Sequence, residues 1–166
     1  YCTYIGSPNY DAIMDFKVNS AGEVVVFAYN GGGGFPTTPG AFDETYNGGL
    51  DDYAVLKLSA DGSSLVYSTY FGGDKNEHEG RMALDSNDNA YIFGITASQN
   101  IPTTSGAYQT AYGGGFRDAV LAKFSNTGSL TYCTYLGGSA FDYGRAITIN
   151  ESGEVYLAGL SSSLCN

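Results

Sequence analysis

The stretch YSTYFGG at Tyr67–Gly73 occurs in two other places, as YCTYIG at Tyr1–Gly6 and as YCTYLGG at Tyr132–Gly138. Its threonines, Thr3, Thr69 and Thr134, are spaced 66 and 65 residues apart. FPTTPGAF at Phe35–Phe42 returns as IPTTSGAY at Ile101–Tyr108, and Lys57 in AVLKLSADG matches Lys123 in VLAKFSNTG, both again at a spacing of 66. Self-similarity at a fixed period marks a repeat architecture and decides the fold before any single element is read. The residue lost between the later copies is most simply one of Ser63 and Ser64.

Working outward from this stretch, each full unit holds four strand signals divided by turn signals. The first reads AIMDFKV, RMALD or AITIN, followed by a tight turn at NSAGE, DSNDN or NESGE. The second reads EVVVFAY, NAYIFGIT or EVYLAGLS; near-continuous apolar character means both of its faces are buried. A long excursion then carries the Pro-Thr-Thr segment and a tyrosine with glycines behind it, Tyr46–Gly49 or Tyr112–Gly115. The third strand reads DDYAVLKLS or RDAVLAKFS. After a turn at Asp61-Gly62 or Thr127-Gly128 the fourth reads SLVYSTYF or SLTYCTYL. In that strand Tyr67, Thr69 and Phe71 share one face by the period of two.

Composition agrees. Gly is 24 of 166 residues, about double ordinary usage, and the aromatics are 15 Tyr and 9 Phe with no Trp, which suits short strands and tight turns. The net charge of -10, with seven Lys plus Arg and no basic run, excludes nucleic acid and anionic membrane surfaces as partners. No apolar run is long enough to insert into a bilayer. A chain poor in Lys and rich in Gly, Ser, Thr, Asn and Tyr is expected outside the cell or at the cell surface. Beginning at Tyr1 without Met or signal peptide, it reads as a processed protein or a segment of a longer one.

Four antiparallel strands joined by short turns make the blade of a β-propeller. The residues resemble the bacterial β-propeller repeats known as SBBP repeats, on YSTYFGG, FPTTPGAF, SGAYQTAYGGG, RDAVLAKFSNTG and YCTYLGG, over essentially the whole chain. The chain departs from that pattern at Ser7-Pro8, where a second Gly is missing, and at EHEGR. The resemblance implies large secreted or surface proteins of bacteria, and no shared catalytic activity.

The expected fold is therefore all-β: one domain, 1–166, of about two and a half four-stranded antiparallel propeller-like blades, open-ended. It divides into a lone fourth-type strand at 1–6, full repeats at 7–72 and 73–138, and a half repeat at 139–166, eleven strands in all. A propeller needs about four blades to close, so both ends expose sheet edges that are prone to associate. The chain is then a piece of a longer propeller, a ring closed by several copies, or a head-to-tail array in which strands are exchanged. Complementary ends favour assembly, with Tyr1, Thr3 and Ile5 at one end and Val155, Leu157 and Leu160 at the other.

Few residues invite chemistry. Cys2 and Cys133 are repeat-equivalent to Ser68 and fit a small-residue slot, while Cys165 sits apart in the tail SSSLCN. A disulfide from Cys165 to Cys2 or Cys133 is a candidate staple. His78, the only histidine, reads as a solvated loop residue, since nothing orients it toward a nucleophile or further zinc ligands. DSNDN, with Asp85, Asn87, Asp88 and Asn89, superficially resembles a calcium loop but lacks its Gly and distal Glu, and reads as a hairpin turn. Asp51, Asp52 and Asp118 precede third strands and read as turn caps. Gly31–Gly34 and Gly113–Gly115 read as flexible loops, since no P-loop ending follows. Asn150-Glu151-Ser152 matches a glycosylation acceptor at Asn150.

No catalytic, cofactor or metal site is expected, and the chain reads as a non-enzymatic extracellular structural protein whose partners are copies of itself, in a surface filament. The alternative is a ligand-binding propeller module, for glycans, using Tyr46 and Tyr112.

Overall fold

The computed structural model describes residues 1–163. They form ten strands: β1 (Tyr10–Val18), β2 (Val24–Gly31), β3 (Asp52–Leu58), β4 (Leu65–Phe71), β5 (Glu77–Leu84), β6 (Ala90–Thr96), β7 (Asp118–Phe124), β8 (Leu130–Leu136), β9 (Asp142–Ile149) and β10 (Val155–Ser161). Neighbours in sequence pair antiparallel into sheets ordered β1-β2-β3-β4, β5-β6-β7-β8 and β10-β9. None closes into a barrel, and together they are consistent with open propeller-like blades. The hairpin turns repeat as read. Asn19, Asp85 and Asn150 each accept the N–H three residues on and donate their own to the carbonyl four residues on. The residue two before each second strand has positive φ: 80° at Gly22, 60° at Asp88 and 83° at Gly153.

Alternation along the central strands sends side chains to two layers. Val25, Phe27, Tyr29, Tyr53 and Val55 leave one face of the first sheet and meet Met82, Ile92, Val120, Ala122 and Phe124 of the second. Val26, Ala28, Ala54, Leu56 and Leu58 leave the other face and pack with Phe35, Tyr70 and Ile5. Two-sided burial is the reason that β2 and β3 are apolar along most of their length, because each side chain buried is worth about 1.5–3 kcal/mol. Aromatic edges lock the layers, with Phe71 and Phe124 rings 5.6 Å apart in an edge-on contact.

Two expectations are corrected. Tyr1–Gly6 forms no strand, so the count is ten. A fourth-type strand is held by the ladder of a third-type strand, as β4 is by β3, and no strand among the described residues offers Tyr1–Gly6 that edge. The first strand of each unit also starts earlier than its apolar run, at Tyr10, Glu77 and Asp142. EHEGR is thereby strand rather than loop; a bulge between His78 and Gly80 lets the polar start and the apolar end share one strand.

Candidate functional site

Successive sheets are joined by one repeated set of contacts. The N–H of Glu77 donates to Asp51 O at 2.9 Å, and one unit later Asp142 N–H donates to Arg117 O at 2.9 Å. Gly49 and Gly115, with φ of 71° and 65°, press their Cα against the next unit's backbone at Lys75 and Ala140; a side chain at either would overlap a carbonyl. A third contact is a ring on a glycine. Tyr67 of β4 lies against Gly128 in the following sheet.

At the N-terminal end the last contact recurs. The ring of Tyr1, the repeat-equivalent of Tyr67, lies against Gly62, the equivalent of Gly128. Tyr1–Ile5 therefore sits on the first sheet as β4 sits on the second, although it lacks a ladder. Ile5 is half-buried there, whereas Cys2, Thr3 and Tyr4 are exposed. Phe16 of β1 is 59% exposed, while its equivalent Met82 is 1% exposed under the first sheet.

The C-terminal end shows the reverse side. β10 pairs with β9 along one edge, and its other edge has no partner among the described residues. Val155 and Leu157 are half-buried. Leu160 is 61% exposed, where its equivalent Ile95 is 0% exposed. Of the six residues assigned to the ends, Tyr1, Thr3 and Leu160 are exposed, while Ile5, Val155 and Leu157 are half-buried.

No motif marks the carboxyl pair at the first junction. Asp52 opens β3 and Glu77 opens β5, both fully buried, and Gly72 lies against both carboxyls. Asp52 also accepts Asn47 N–H at 2.5 Å, the capping role expected of it, as Asp118 does with Gly113 N–H at 2.6 Å. Glu77 accepts from Thr96 Oγ1 at 2.6 Å, Ser98 Oγ at 2.8 Å and Gly73 N–H at 2.9 Å. Burial pushes Glu77 up to about 8 and Asp52 up to about 6. Asp52 Oδ1 is buried without a hydrogen-bond partner. Gly72 is required between them, since a Cβ there would come within 2.6 Å of both carboxyl groups. The pair was hidden because its members are 25 residues apart in two different repeats.

His78 is not the solvated loop residue expected. It lies on β5 with Nδ1 2.6 Å from Asp51 Oδ2 and its ring 4.8 Å from that of Tyr29. Among the described residues no hydroxyl or thiol hydrogen-bonds its other nitrogen. DSNDN forms its hairpin turn, with Asp85 Oδ1 accepting from Asn87 and Asn89 N–H. Among the described residues, no three His, Cys, Asp or Glu side chains gather into a metal site.

Cys2 and Cys133 are free thiols, the first exposed and the second buried. Burial between the sheets pushes Cys133 up to about 12 and holds it as a neutral thiol. Cys165 lies outside the described residues. Asn150 Nδ2 donates to Glu154 Oε2 at 2.5 Å, so the nitrogen that would carry a glycan is engaged in its turn. Tyr46 and Tyr112, the aromatic candidates for sugar binding, pack their rings edge-on against Tyr70 and Tyr135, at 6.1 and 5.9 Å. Their hydroxyls donate to Gly49 O and Gly115 O. The glycine loops beside them owe their composition to tight turns, with φ of 92°, 83° and 81° at Gly32, Gly33 and Gly34. No helix among the described residues is long and apolar enough to cross a membrane.

Models of known protein families give no match to this chain, and neither do curated proteins.

Proposed function

We propose that the chain is a non-enzymatic structural protein of the cell exterior whose copies join head to tail through the two unfilled ends of its sheet array, as a surface filament. The observation that carries this reading is the seat of Tyr1 on Gly62, which copies the internal seat of Tyr67 on Gly128. One end is thus built like an internal junction with its outer sheet absent, and the other end presents the bare strand edge of β10. The energetic case is local. Burying Leu160 and Phe16 as deeply as Ile95 and Met82 would contribute about 1.5–3 kcal/mol for each side chain. The buried carboxyls Asp52 and Glu77 are closed to solvent and serve the junction, which supports a structural role over a catalytic one.

Negative-stain electron microscopy of the purified chain without reducing agent tests the reading. Regular fibres are expected, and they should vanish when residues 1–6 are deleted. Dispersed particles of single-chain size would overturn it.

A further inference from the structure

The first strands of the three units, β1, β5 and β9, gather cations that the rest of the molecule lacks. The chain has 17 acids and only seven Lys plus Arg. Three of those seven, Lys17, Arg81 and Arg145, line one groove of about 460 Å³, where Asp15 is the single acid. β5 runs through the middle of this groove, packed against β1 on one side and β9 on the other.

Between β1 and β5 the chain supplies its own anion. The Asp15 carboxylate accepts Phe16 N–H at 2.8 Å and, across the gap between sheets, Met82 N–H at 3.0 Å. Lys17 Nζ donates to it at 2.6 Å. Asp15 thus satisfies a donor of β5 that the ladder with β6 leaves over.

Between β5 and β9 the same place holds no acid. Arg81 stands opposite Phe93 as Asp15 stands opposite Phe27, so a cation occupies the register of the carboxylate. Ile147 stands opposite Leu157 as Met82 stands opposite Ile92, and its N–H is the counterpart of the one that Asp15 accepts. Among the described residues Arg81 joins no salt bridge, and its Nη1 donates to Gly80 O at 2.7 Å. Arg145, the next cation of the groove, has Nη1 2.9 Å from Glu79 Oε2. The first seat brings donors onto an acceptor; the second brings donors together without one. Arg81 is exposed and Ile147 half-buried. The seat uses neither the free edge of β10 nor the N-terminal segment.

We propose that this second seat binds a small organic anion through a carboxylate, which takes the place that the Asp15 carboxylate holds in the first. The Arg81 guanidinium and Ile147 N–H are its donors, and a guanidinium matches a carboxylate with paired N–H groups. Arg145 and Lys17 in the same groove favour a ligand with more than one carboxylate, which their positive potential draws in. The inference is independent of the joining of copies.

The test is isothermal titration calorimetry of the full chain with citrate at pH 7 and low salt. Saturable heat corresponding to one citrate per chain is expected. Arg81→Gln, which removes the charge, should weaken binding about tenfold or more. Arg81→Asp installs the acid of the first seat, so it should abolish binding while leaving the melting temperature equal or higher, an outcome that misfolding could not give. Lys75→Gln, at an exposed cation outside the groove, should leave binding unchanged. Absence of saturable heat, undiminished binding by Arg81→Gln, or an equal loss with Lys75→Gln overturns the inference.

Discussion

Two buried polar side chains at the first junction carry the sharpest consequences of this fold. Glu77 binds its proton more tightly folded than unfolded, since burial raises it from near 4.5 to about 8. The native state therefore holds more protons than the unfolded one between those values, and stability falls as pH rises through that window. The melting temperature of the wild-type chain is expected to be lower at pH 9 than at pH 6 by about 3 °C or more, because 1 kcal/mol is worth about 2–4 °C at this size. Glu77→Gln, which keeps the size of the side chain without a titrating group, should flatten that dependence; an unchanged slope in thermal melts would refute the raised titration of Glu77. The second side chain is Tyr53, whose hydroxyl accepts Ile95 N–H at 2.8 Å and lies 2.7 Å from Glu79 O, inside the bulge of the next sheet. Tyr53→Phe removes that bridge and leaves buried backbone groups unpaired. Denaturant unfolding should show a loss of about 1–3 kcal/mol, with no change expected if water filled the bulge instead.

At the scale of the strand and turn, the repeat carries the same glycine into two different settings. Gly62 and Gly128 both sit in β-turns with positive φ, 69° and 88°, so alanine at either should cost about 1–2 kcal/mol in backbone strain. Gly128→Ala must also displace the ring of Tyr67, which is 4% exposed in the core, whereas Gly62→Ala meets Tyr1, which is 71% exposed and free to move. Urea titrations should therefore find Gly128→Ala the more damaging of the two, and equal losses would argue against the tyrosine seat. The period made these elements legible. Strand type, turn position and two-sided burial followed from aligning the chain with itself, because an apolar pattern of period two needs no tertiary knowledge. Tyr1–Gly6 misled for the same reason, since likeness to β4 promised a strand that only a neighbouring edge can hold. His78 misled because a polar run hides a bulged strand whose partners, Asp51 and Tyr29, lie in the previous unit. The Asp52–Glu77 pair was equally silent, because it is no motif and exists only once the register sets side by side residues that the repeat distributes.

For the whole molecule, the balance of forces at the ends determines how association responds to salt. Each copy carries a net charge of -10, so two copies approaching end to end repel over the screening length, about 30 Å at 0.01 M salt and about 8 Å at 0.15 M. The contacts proposed to hold them, apolar side chains and backbone hydrogen bonds at bare strand edges, are not weakened by screening. Assembly followed by light scattering should accordingly speed up as salt is raised through that range. Slower assembly at high salt would mean that attraction between opposite charges carries the copy-to-copy junction. The apolar ends at Phe16 and Leu160 would then not be what brings the copies together.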